Sequence, residues 1–165
     1  MFQVSRFKIQ ENGFSLIELI IIIAISIILA TIGVLNLFNY REYKDLDLTV
    51  NEIVSTLRIA RDYSISQEFI GSNFGKKWGV YFESGDYILY RGMNHIDSEK
   101  VTLSKSVLRT TVQFKTMPNP QDILFEPITG KPNNLPNSPN IIEVSLKSNP
   151  GMFKTITIDQ NGRIN

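Results

Sequence analysis

The chain has 165 residues, 42% hydrophobic and 20% charged, with a formal net charge of +1. That composition excludes a disordered chain, a collagen and a disulfide knot. The lack of cysteine excludes thiolate catalysis, disulfides and cysteine-ligated zinc or iron–sulfur centres. The averages hide two unlike parts. Of the 25 residues from Phe14 to Phe38, 19 are hydrophobic, whereas all seven prolines lie between Pro118 and Pro150.

Residues 1–13 read MFQVSRFKIQENG, made basic by Arg6 and Lys8 and partly offset by Glu11. The apolar segment follows, and Leu19 to Phe38 are 20 residues without a charge. A helix of that length spans about 30 Å, the thickness of a bilayer core. A soluble core helix is seldom apolar on every face. A secretory signal has an apolar region of about 7–15 residues and a small-residue cleavage site. The sequence after this span, LNLFNYREYKD, has no such site. An uncleaved anchor fits the length, and Arg6 and Lys8 favour a cytoplasmic N-terminus with the remainder outside. Glu18 points further. A carboxylate within a lipid-embedded helix costs up to about 3 kcal/mol and calls for a partner. Cutting after Gly13 supplies one, the ammonium of Phe14, either on the same helix face four residues away or from a neighbouring subunit.

The run Gly13-Phe14-Ser15-Leu16-Ile17-Glu18, ahead of about twenty apolar residues, resembles the type III signal sequence of type IV pilins and type II secretion pseudopilins. The resemblance implies a prepilin peptidase that cleaves between Gly13 and Phe14 on the cytoplasmic side and N-methylates Phe14. It also implies that Glu18 pairs with the Phe14 amine of an adjacent subunit during assembly. The implied location is the bacterial cytoplasmic (inner) membrane, as a single-pass precursor with its head external or periplasmic. The implied partners are other pilins or pseudopilins and an inner-membrane assembly platform, with no cofactor.

The expected organisation is a leader over 1–13, a membrane or filament-core helix over 14–40, an amphipathic helix over 41–70 and a β-rich head over 71–165. In the third part Leu46, Val50, Ile53, Val54, Leu57 and Ala60 recur at helical spacing and predict one docked stripe. Thr49-x-x-Glu52 matches a capping box. If it is used, a second helix starts there; otherwise one helix runs from about Phe14 to Glu68. From Trp78 the period becomes two. Trp78–Phe82 and Tyr87–Tyr90 read as strands joined by Glu83–Asp86. Val101–Val107 and Leu108–Phe114 give one long strand or two short ones, and Ile123–Phe125 is a short apolar run. Ile141–Leu146 and Phe153–Ile158 form a hairpin about Asn149-Pro150-Gly151, and after the turn Gln160-Asn161-Gly162 the pair Arg163-Ile164 adds a last pairing. The remainder of 117–140 reads as a loop. The expected fold is α+β, a long helix packed on a mainly antiparallel sheet.

The head adds to the resemblance. Leu57–Ile65, Phe125–Gly130 and Ile156–Ile164 are similar to the L-x-x-A-R helix, the F-x-P-x-G turn and the closing I-x-I-x-x-x-G-R-I segment of H-type (GspH/FimT-like) minor pseudopilins.

Residues for chemistry are few. His95, the only histidine, reads as a solvated loop residue. Asp159-x-Asn161-Gly162 lacks the closing acid of a calcium loop, and Gly71–Lys76 is one residue short of a phosphate loop. No enzyme is expected. The expected function is that of a minor pilin or pseudopilin, a structural subunit of a secretion pseudopilus or pilus-like filament. The alternative is a membrane-anchored binding module of a DNA-uptake pilus. It draws on the eight basic and four acidic residues of 100–165, with Lys147, Lys154 and Arg163 as nucleic-acid contacts.

Overall fold

The computed structural model describes residues 13, 15–66, 76–97, 100–135 and 139–165. It holds two compact units, Met1–Asn39 and Tyr40–Asn165. Helix α1 is Leu16–Ser66. The strands are β1 (Lys77–Phe82), β2 (Asp86–Gly92), β3 (Val101–Val107), β4 (Val112–Thr116), β5 (Asp122–Phe125), β6 (Asn140–Leu146) and β7 (Phe153–Ile158). The expected end of the helix at Glu68 lies outside the described residues, as does the stretch Gly71–Gly75.

In the first unit, the large apolar side chains described between Leu16 and Phe38 are 48–76% exposed. Two hydroxyls there are satisfied within the helix: Ser26 donates to the Ile22 carbonyl at 2.7 Å, and Thr31 to that of Ile27 at 2.8 Å.

In the second unit, α1 buries Leu46, Thr49, Ile53, Leu57, Ala60 and Ser64, one stripe at spacings of three and four. Thr49 and Glu52 lie inside the helix, so the capping-box match there is not used. Thr49 faces the core instead, and Glu52 turns out to Arg109.

Two antiparallel sheets cover that stripe. One has the order β3-β2-β1-β5, the other β4-β6-β7. Leu108–Thr111 is not strand: the Leu108 amide donates to Gly85 and the Val112 amide to Arg109, so the chain turns there and crosses between sheets. The alternation that suggested a strand persists because Leu108 and Val112 both reach the core from this turn. The β6–β7 hairpin pairs Asn140 with Ile158 through to Ser145 with Phe153, and an isolated bridge joins Ile158 to Ile164.

One hydrophobic cluster unites the three layers: Ile53 and Leu57 of the helix, Trp78, Val80 and Phe125 of one sheet, and Ile142, Val144 and Ile156 of the other. Phe82 and Phe114 meet edge-on across the two sheets at 5.7 Å. The early turns of this helical part face the second sheet and its turns. Glu42 accepts from Ser148 at 2.6 Å, Asp45 from Thr111 at 2.9 Å, and Asp47 pairs with Lys154 at 2.6 Å. The last turns face the first sheet: Tyr63 lies 4.8 Å from Trp78, and the Ser64 hydroxyl donates to the Phe125 carbonyl at 2.9 Å.

Candidate functional site

The candidate processing and assembly residues are Gly13, Phe14 and Glu18. Gly13 is exposed, and nothing lies within 4 Å of where its Cβ would be. Phe14 lies outside the described residues. Glu18 sits in the first turn of α1, and its Oε2 accepts the backbone N–H of Ser15 at 2.9 Å. The Ser15 hydroxyl accepts the N–H of Ile17 at 3.2 Å. This is a reciprocal cap of the S-x-x-E type: two N–H groups that a helix start leaves unpaired are satisfied by side chains of the same turn. Sequence reasoning sought that pattern at Thr49 and overlooked it at Ser15, although Ser15-Leu16-Ile17-Glu18 stands directly before the apolar run.

Behind this start, one helix among the described residues is long and apolar enough to cross a membrane by length and composition. None of its most apolar stretch is buried. An apolar surface of this extent is costly to leave in water.

The proposed nucleic-acid contacts do not converge. Lys154 is taken by Asp47 at 2.6 Å. Lys147 follows β6 at the turn of the hairpin, whereas Arg163 follows the other end of β7 beyond Ile158. Other cations of the same half are also spoken for: Lys105 by Asp86 at 2.7 Å, Arg109 by Glu52 at 2.5 Å, and Lys115 by Glu143 at 3.5 Å. Four of the eight basic residues of 100–165 are thus already paired with acids. The pairing with Lys105 and Lys154 holds the carboxyls of Asp86 and Asp47 below the ordinary aspartate range.

His95 is not a solvated loop residue. Its ring stacks flat on Tyr81 with centroids 3.6 Å apart, and its backbone N–H donates to Asp122 at 3.0 Å. Asp122 also accepts the Tyr90 hydroxyl at 2.5 Å. Burial, together with that anionic acceptor, pushes the Tyr90 phenol far above its usual range. The network ties the β2–β3 loop to β1 and β5. Asp159 is likewise occupied: its Oδ1 accepts the N–H groups of Asn161 and Arg163, both at 2.8 Å, which closes the terminal turn. No group of three His, Cys, Asp or Glu side chains able to share a metal ion occurs among the described residues.

The three head motifs meet at one point. A Cβ on Gly130 would lie 3.1 Å from Cγ of Arg61, and one on Gly162 would lie 3.2 Å from its Nε and 2.2 Å from the Gly130 carbonyl. Both glycines have positive φ, +61° and +77°. Arg58, one turn earlier on the helix, donates to the Ile164 carbonyl at 3.2 Å. Helix, central turn and closing turn are thus locked together, a convergence across distant segments that no local pattern reveals.

A long helix on two antiparallel sheets, with this knot at the end of the helix, is a pilin fold. Among solved structures, the crystal structure of the Pseudomonas aeruginosa (strain PAO1) type IV minor pilin FimU is similar, with a TM-score of 0.57 at 16% identity. The match covers 76% of this chain and 90% of that one. At that identity the likeness is one of fold. No protein-family model matches the chain, and no curated protein is significantly similar to it.

Proposed function

We propose that the chain is a minor pilin-like subunit of a type IV pilus-like filament or secretion pseudopilus. The observation that carries this reading is an exposed apolar helix, capped at Ser15 and Glu18, in a chain whose head has a pilin fold. In this reading the precursor spans the inner membrane once, with residues 1–13 cytoplasmic and the head outside. Prepilin peptidase removes 1–13 by cutting the Gly13–Phe14 bond and methylates the new amine of Phe14. The apolar helix then leaves lipid for a bundle of similar helices from other pilins, recruited through an assembly platform. Glu18 accepts the Phe14 ammonium of a neighbour, which neutralises a carboxylate held in an apolar surround.

Leader removal is tested by N-terminal sequencing of the membrane form from cells with and without a prepilin peptidase. With the enzyme, the sequence begins at Phe14; an intact Met1 in its presence overturns the processing step.

A further inference from the structure

We propose that Glu18 acts twice, and that its first action, capping its own helix, prepares the second. The cap requires only Ser15, Ile17 and Glu18, all on the retained side of the Gly13–Phe14 bond, so it forms in the uncut precursor. It uses one carboxylate oxygen, Oε2. A carboxylate has two oxygens and about four acceptor positions, so the capped group keeps capacity for an ammonium. The cap also restricts the Glu18 side chain to one direction, so less rotamer freedom remains to be lost when an amine arrives.

In the precursor, Glu18 is therefore not an unpartnered charge waiting in lipid. It is a preformed acceptor tethered to the backbone one residue from the new terminus, and Ser15 is a positioning residue. The second action rests on the reading above, that the leader is removed and an amine is presented; the cap itself does not.

The two actions separate by substitution. Glutamine retains a side-chain carbonyl that can cap, but it carries no charge. Backbone amide exchange is read by NMR on the full uncut chain in detergent micelles, prepared without peptidase. In Glu18→Ala the Ser15 amide exchanges about five- to tenfold faster, the range expected for loss of one capping bond. In Glu18→Gln it stays within about twofold of the native rate, a small change on the same scale. In Ser15→Ala the amide released is that of Ile17. An unchanged Ser15 amide rate in Glu18→Ala overturns the cap, whatever happens in the cell. Filament incorporation of the processed variants then tests the second action. Glu18→Gln should be depleted although its cap is intact, and normal incorporation would overturn the ammonium-acceptor role while leaving the exchange result to stand.

Discussion

Replacing Gly162 with alanine tests the knot that closes the head. Gly162 has a φ of +77°, where an L side chain crowds its own carbonyl at a cost of about 1–2 kcal/mol. The added Cβ would stand 2.2 Å from the Gly130 carbonyl oxygen, so one backbone segment must retreat by about 1 Å to reach ordinary contact. That oxygen cannot rotate away, and overpacking of this kind costs about 1–3 kcal/mol. The sum is about 2–5 kcal/mol, equivalent to roughly 10 °C in Tm for a unit of this size. Trp78, the only tryptophan, is buried against Tyr63 and reports the unfolding of this unit by fluorescence. Gly85→Ala is the control: its φ is not positive and nothing lies within 4 Å of the new Cβ, so its effect should stay within about 0.5 kcal/mol. A Gly162→Ala protein as stable as the Gly85→Ala control would refute the packing argument.

Other outcomes follow from the same contacts. Ile128 holds a φ of +69° with its side chain two-thirds exposed, so Ile128→Gly should raise stability by about 1 kcal/mol, measured by the same fluorescence melt. Asp86 and Asp47 have carboxyls held below the ordinary value of 3.8. Their contribution is therefore complete above that value and is lost as pH falls through it toward the lower folded values. These pairs are solvent-screened, so each contributes little, and Asp86→Asn should only slightly flatten the acid limb of a stability–pH curve below about pH 4. No salt-dependent DNA binding is expected from the full chain in a gel shift, because Lys154, Lys105, Arg109 and Lys115 are already paired with acids.

The architecture was largely legible because its signals are local. The apolar run, the stripe at Leu46, Ile53, Leu57 and Ala60, and the hairpin about Asn149-Pro150-Gly151 each lie within one stretch of chain. Where Leu108 to Val112 alternates like a strand, the pattern records burial and not pairing, and so conceals a change of sheet. The roles of His95 and Arg61 were illegible for another reason. His95 depends on Tyr81 and Asp122, and Arg61 on Gly130 and Gly162, partners that only the tertiary fold brings near. The Ser15–Glu18 cap belongs to neither class. Its S-x-x-E pattern lies within four consecutive residues, and the same Glu18 also fits the separate reading as an acceptor for an ammonium.

Assembly is the claim on which the remainder depends. Filaments sheared from cells and separated from membranes should contain the processed chain as a minor component, and Glu18→Ala should remain in the membrane fraction at normal abundance while disappearing from the filaments. A processed native chain confined to the membrane fraction while filaments form normally would contradict the account.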